Sequence, residues 1–225
     1  MKITAIIPAA GSGSRFGKAK NKLLETINDI PVIILTLRVL ASVDMIGEII
    51  ISTSDALIPE IQELVATYRI PKVKKIIQGG KTRQESVFNG IKSIETNVDF
   101  VLIHDGARPF ITKDIVETSI IQAIDKGASV VAVNTKDTIK RIDKTTDEII
   151  ETLDRSQLWN IQTPQVFSFL DLWEAHRKFE GKDFTDDSSM IEKLGIPVYV
   201  TFGSYKNIKI TTKEDLKIAE LFANE

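Results

Sequence analysis

From Ile3 to Asn134 the chain alternates short, nearly continuous apolar runs with segments of helical spacing, and this rhythm limits the fold more than any other feature. Ile3 to Pro8 is an apolar run that stops at Gly11-Ser-Gly-Ser14, as a strand buried on both faces stops before a functional loop. Pro31 to Val43 carries apolar residues at helical spacing, with Pro31 suited to a first helical turn. Further strands are expected at Glu48 to Ser52, Val73 to Gln78, Asp99 to His104 and Ala128 to Val133. Helices are expected between them over Ala56 to Tyr68, Arg83 to Ile94 and Lys113 to Lys126. Strands alternating with helices of this size make βαβ units, so the chain is read as an α/β fold: a doubly wound, Rossmann-like, mostly parallel sheet with helices on both faces.

The rhythm breaks after Asn134. Asp137-Thr-Ile-Lys-Arg-Ile-Asp143 and Glu148-Ile-Ile-Glu-Thr-Leu-Asp154 are two alternating segments joined by the turn-rich Lys144-Thr-Thr-Asp147, the pattern of a β-hairpin. The chain then returns to helices near Phe169 to Phe179 and Asp186 to Leu194. A strand at Val198 to Phe202, a short strand at Asn207 to Ile210 and a closing helix from Thr212 to Phe222 complete the reading. With no repeat, low-complexity tract or linker in view, the expectation is one domain over residues 1–225 with a protruding β-hairpin arm inserted at about 136–155. Two strands alone rarely bury enough surface to be stable in water. The hairpin is therefore either a solvated flap or a dimerisation arm.

Composition removes several classes of function. With 29 Lys plus Arg against 31 Asp plus Glu the net charge is -2, which argues against general nucleic-acid binding. Without cysteine there are no disulfides, no thiolate catalysis and no Cys-based zinc site. His104 and His176 are too few for a His-rich metal site, and His104, at the end of an apolar strand, reads as a hydrogen-bonded structural residue. The apolar runs fall well short of the roughly 20 residues that span a bilayer. The run after Met1-Lys2 is also shorter than a secretory core of about 7–15 residues. A soluble, cytoplasmic protein with no nucleic-acid or membrane partner is expected.

The loop after the first strand, Pro8-Ala-Ala-Gly-Ser-Gly-Ser-Arg-Phe-Gly17, stands where open parallel sheets bind ligands. It is not a Walker A loop, because Gly13 and Gly17 are separated by three residues and Lys18 is followed by Ala19. It is not a dinucleotide fingerprint either, since Phe16 occupies the third glycine position, which weakens a nicotinamide dehydrogenase reading. A Gly-rich loop alone serves a phosphate cradle or a tight turn equally. Arg15 within it and Lys22 just beyond favour the cradle, while Lys18 and Lys20 read as readily as a solvated face. Asp105, at the carboxyl end of a strand, is either a site residue or the cap of the following turn.

Pro8 to Gly17 resembles the signature loop of the sugar- and polyol-phosphate nucleotidyltransferases, and in particular of the 2-C-methyl-D-erythritol 4-phosphate cytidylyltransferase family. Further segments match across nearly the whole chain: Gly79-Gly-Lys-Thr-Arg-Gln-Glu-Ser-Val87, His104-Asp-Gly-Ala-Arg-Pro109, Asp137-Thr-Ile-Lys-Arg141, Arg155-Ser-Gln-Leu-Trp159, Thr163-Pro-Gln165, Thr185-Asp-Asp187 and Asn207-Ile-Lys209. Many family members carry Pro-Lys-Gln where this chain has Asn21-Lys22-Leu23, and the lysine is retained. The resemblance implies that the phosphate of 2-C-methyl-D-erythritol 4-phosphate attacks the α-phosphorus of CTP, releasing pyrophosphate. It implies Arg15, Lys22, Arg155 and Lys209 as catalytic residues. CTP would lie on Ala9, Ala10, Gly11, Gly13, Gly79, Arg83, Ser86, Asp105 and Gly106, and the polyol phosphate on Arg108, Thr138, Arg155, Thr163 and Lys209. It further implies Mg2+ held mainly through the CTP phosphates, with no protein metal ligand assigned, and a homodimer whose arms cross to complete each other's sites. A ribitol 5-phosphate cytidylyltransferase and a non-catalytic CTP-sensing module are the alternatives.

Overall fold

A computed structural model describes residues 1–11 and 21–224. The strands are β1 (Ile3–Pro8), β2 (Thr26–Ile27), β3 (Ile30–Pro31), β4 (Ile46–Thr53), β5 (Val73–Gln78), β6 (Phe100–Ile103), β7 (Ala128–Asn134), β8 (Lys140–Ile142), β9 (Ile149–Thr152), β10 (Trp159–Ser168) and β11 (Tyr199–Phe202). The helices are α1 (Val32–Ser42), α2 (Ile58–Thr67), α3 (Arg83–Lys92), α4 (Lys113–Lys126), α5 (Phe169–Lys178), α6 (Asp187–Lys193) and α7 (Lys213–Ala223). Seven strands form one sheet in the order β11-β7-β10-β6-β1-β4-β5. All its pairings are parallel except those of β10, which runs antiparallel to both β6 and β7. The chain is thus α/β with a mostly parallel sheet, as expected.

Side-chain alternation along the central strands supplies both faces of this sheet with a core. In β1, Ile3, Ala5 and Ile7 pack on one face with Ile33, Leu37 and Leu40 of α1 and with Val116 and Ile120 of α4. Ile6, between them, points to the other face, where it meets Val87 and Ile91 of α3 and Leu172 of α5. β6 divides likewise, Leu102 to the first layer and Val101 and Ile103 to the second. Strands buried on both faces have no polar side to show, which is why they read as nearly continuous apolar runs.

Three local expectations are corrected. The ten-residue strand β10 was not anticipated, because Pro164 lies inside it and proline demotes a candidate central strand. The structure accommodates that proline by losing register between Ile161 and Gln165, so pairing with β7 lapses around it. Asn207 to Ile210 is not a strand. Its polar groups go elsewhere: the Asn207 amide donates to Gln162 Oε1 and to the Thr163 carbonyl, each at 3.0 Å, and the Ile210 N–H donates to the Ala107 carbonyl. Pro31 sits at the N-cap of α1 and ends the small β2–β3 hairpin, one position before the turn expected for it.

The hairpin insertion is present as β8 paired antiparallel with β9, shorter than the sequence segments suggested. Every residue of both strands is exposed.

Candidate active site

The sheet order changes direction at β1, which has β4 and β5 on one side and β6 on the other. At such a switch point the loops leaving the strands diverge and open a crevice at their carboxyl ends. Here that crevice is a cavity of about 450 Å3. Ala9, Ala10 and Gly11 after β1, Gly80 to Arg83 after β5, and Asp105 and Gly106 after β6 line it, together with Lys22 and Lys209. Gly79 holds the walls together: a Cβ on it would stand 2.6 Å from Ala10 Cβ and 2.9 Å from Ser86 Oγ, so only glycine permits the approach. Ser86, buried, accepts the Gly80 N–H at 3.0 Å and donates to the Thr82 carbonyl at 2.8 Å, which fixes the turn into α3.

A second cavity, also about 450 Å3, adjoins the first and includes Arg108, Gln162, Thr163, Gln165, Asp186 and Ser188 in its wall. The two share Arg83, Asp105 and Lys209. Asp105 is the centre of this partition. Its carboxylate lies 2.7 Å from Lys209 Nζ, 3.1 Å from Arg83 Nε and 3.8 Å from Arg108 Nε. Burial alone would push its pKa up, but Arg83, Lys209 and Arg108 outweigh that and hold it well below the usual carboxylate range. Arg83 loses hydration on burial as well, yet Asp187 and Asp105 keep its pKa above the ordinary arginine value. For Arg108 burial wins, and its pKa is lowered.

The backbone around these charges is pinned by neighbours far away in sequence. The Asp105 N–H donates to Thr163 Oγ1 at 3.0 Å, so the interruption in β10 supports the acid that follows β6. That hydroxyl also lies 3.0 Å from His104 Nδ1, whose other nitrogen lies 3.2 Å from the Arg108 carbonyl. His104 is fully buried and its pKa is lowered to about 4 by desolvation, in keeping with the structural role expected of it. Lys209 lies between the anchored Asn207 and Ile210, and Arg108 Nη1 donates to the Asn207 carbonyl at 2.7 Å.

Most of the expected site residues therefore meet in one place. Ala9, Ala10, Gly11, Lys22, Arg83, Ser86, Asp105, Gly106 and Lys209 line the first cavity, with Gly79 behind it. Arg108 and Thr163 line the second. Gly13 and Arg15 lie outside the described residues. Thr138 and Arg155 line neither cavity: both are exposed at the arm, where Arg155 Nη1 donates to the Lys136 carbonyl at 2.9 Å. Sequence reasoning missed Gln165, Asp186 and Ser188, which form a hydrogen-bonded wall of the second cavity. Asp186 was legible as a helix N-cap, since its side chain accepts the Ser189 N–H.

The cavities suit a ligand with several phosphate oxygens: cations converge on a shared wall, and glycines bring backbone close. Comparison with known proteins agrees. The family model for 2-C-methyl-D-erythritol 4-phosphate cytidylyltransferase matches residues 3–225. A protein of that name from Bacillus thuringiensis (strain Al Hakam) is 46% identical over 221 residues, covering 97% of this chain and 96% of the relative. One from Dictyoglomus thermophilum is 44% identical over 218 residues, covering 96% and 94%. The crystal structure of a 4-diphosphocytidyl-2C-methyl-D-erythritol synthase from Anaerococcus prevotii superposes with a TM-score of 0.88 at 30% identity, covering 99% of this chain and 96% of that one. With the family model matching residues 3–225 and relatives 44–46% identical over nearly all of its length, the chain belongs to the 2-C-methyl-D-erythritol 4-phosphate cytidylyltransferase family.

Proposed function

We infer that the two adjoining cavities hold the two substrates of a single group transfer, CTP in the first and 2-C-methyl-D-erythritol 4-phosphate in the second. The chain is a nucleotidyltransferase of isoprenoid precursor synthesis. A phosphate oxygen of the acceptor bonds to the α-phosphorus of CTP as the bond from that phosphorus to the β-phosphate bridge breaks. The products are 4-diphosphocytidyl-2-C-methyl-D-erythritol and pyrophosphate. The observation that carries this reading is the wall common to both cavities, where Arg83 and Lys209 converge on Asp105.

The acceptor phosphate is largely ionised at neutral pH, its second pKa being near 6, so no base is needed to activate it. The chemistry asks for in-line positioning and for positive charge around the α-phosphate. Lys22 supplies that charge from the first cavity, and Arg15 is assigned the same task. Lys209 and Arg83 exchange the Asp105 carboxylate for phosphate oxygens as substrates arrive, and Asp105 keeps them gathered in the meantime. Arg108 and Thr163 receive the polyol phosphate.

Magnesium fits this site only as a partner of the triphosphate. Among the described residues no group of three or more metal-ligating side chains exists, and Asp105, already compensated by cations, is the one described carboxylate lining the first cavity. When bound there, the ion would neutralise phosphate charge, and Asp105 is the described carboxylate that could help hold it. Thr138 and Arg155 act in the neighbouring subunit of a homodimer, reached by the arm, and the protein works in the cytoplasm. No described helix is long and apolar enough to cross a membrane.

The test is pyrophosphate release with CTP and Mg2+, run in parallel with 2-C-methyl-D-erythritol 4-phosphate, ribitol 5-phosphate and no acceptor. Release with the first alone supports the reading. Release with ribitol phosphate alone would reassign the acceptor, and silence with both would leave a CTP-binding module.

A further inference from the structure

We propose that His176 is a positioning residue for this transfer: through Asp187 it holds the guanidinium of Arg83 in the orientation that presents it to Asp105 and to the substrate phosphates. The proposal rests on the function assigned above and adds a residue that lines neither substrate cavity.

Arg83 bridges two carboxylates. Its Nε meets Asp105 Oδ1 at 3.1 Å and its Nη1 meets Asp187 Oδ2 at 2.6 Å. The two contacts together define the plane of the guanidinium, because its donors form a rigid fork. Asp187 is fully buried at the start of α6, so bulk solvent does not reach its other oxygen. That oxygen, Oδ1, receives no hydrogen bond from a described residue and lies 3.2 Å from His176 Nε2. A buried carboxylate oxygen is costly to leave unpaired, so a ring nitrogen beside it biases how the carboxylate turns. His176 is in turn held firmly. It is 1% exposed in the last turn of α5, and its ring stacks on that of Phe88, with centroids 5.3 Å apart and planes at 14°. Phe88 belongs to α3, the helix that Arg83 begins. The line His176, Asp187, Arg83, Asp105, Lys209 therefore runs from the α5–α6 layer to the shared wall of the cavities through successive approaches of 3.2, 2.6, 3.1 and 2.7 Å.

Histidine here could instead serve only as a flat ring that fills space beside Phe88. Two substitutions separate these roles. His176→Phe keeps a flat ring against Phe88 and removes both nitrogens, while His176→Gln gives up the ring and places an amide nitrogen at the reach of Nε2. If His176 positions Arg83, His176→Phe lowers kcat/KM for CTP about tenfold and His176→Gln stays close to wild type, even where its thermal midpoint falls further. In an Arg83→Ala background the His176→Phe effect disappears, because the group being positioned is gone. The measurements are steady-state pyrophosphate release and CTP affinity by calorimetry, on variants whose thermal melts show a folded protein. Wild-type kcat/KM and CTP affinity in His176→Phe, or an undiminished effect of it in the Arg83→Ala background, would overturn the proposal. A wild-type protein that binds CTP but releases no pyrophosphate would overturn the assigned function instead, and the calorimetry would still decide the role of His176.

Discussion

The cleft at the carboxyl ends of β1, β5 and β6 and the arm formed by β8 and β9 are both built largely from strands and their connections, yet they are held in opposite ways. Behind the cleft, Ile6, Ile7, Val101, Leu102 and Ile103 are wholly buried, and each such side chain contributes roughly 1.5–3 kcal/mol. In the arm no strand residue is buried, and Ile142, Ile149 and Ile150 are 49%, 57% and 52% exposed. The cleft can thus keep charged groups in fixed places against solvation, because a packed sheet lies under them. The arm has no such support within one chain, and its exposed isoleucines are the kind of surface that a partner covers. Functional residues on the two regions should accordingly respond differently to mutation, pH and association.

The largest effect is expected in the cleft. Lys209→Ala should lower kcat for pyrophosphate release about 10²- to 10³-fold, as the loss of a preorganised group at a developing charge does. Turnover near wild type would remove Lys209 from the chemistry. The next tests the packing behind the cleft. His104 has a folded pKa of about 4 against an ordinary value of 6.5, so between those pH values the unfolded chain binds a proton that the folded one refuses. Stability from this group is complete above pH 6.5, declines as pH falls and is lost by about pH 4, a change on the order of 3 kcal/mol. His104→Gln should flatten the thermal midpoint over that window relative to wild type, and an unchanged slope would deny the role of burial at this site.

On the arm the effects are smaller and should depend on association. Arg155→Ala should raise KM for the polyol phosphate about tenfold or more while leaving that for CTP near wild type, and a defect confined to CTP would contradict its assignment. Mixed with inactive Lys22→Ala subunits, it should regain a wild-type KM for the polyol phosphate in heterodimers, since each dimer would then contain one site with both residues intact. The smallest effect is on folding: Ile149→Ser with Ile150→Ser should leave the melting of diluted protein within about 0.5 kcal/mol of wild type while weakening the proposed dimer, as sedimentation would read it. A large loss of monomer stability would mean that the arm packs on its own chain, and the contrast drawn here would fail.

Much of this was legible along the chain. The parallel strands announced themselves because burial on both faces leaves only apolar residues, and the glycine loops stood at strand ends where ligands bind. The hairpin was legible from its alternation and turn. Strand β10 was hidden by Pro164, and Asn207 to Ile210 imitated a strand because Asn207 and Lys209 alternate with Ile208 and Ile210, although the segment is anchored by side-chain hydrogen bonds rather than a ladder. Asp187 and His176 could not be identified as partners of Arg83, because nothing local relates residues on α3, α5 and α6.

By itself the sequence determined the βαβ order, the first loop, the hairpin and the residue types able to handle phosphate, because periodicity and backbone permissiveness are local properties. Only the tertiary structure decided that Asp105 would gather Arg83, Lys209 and Arg108 between two cavities. A buried carboxylate is stable only among cations delivered from several elements, and their convergence is set by packing across the sheet.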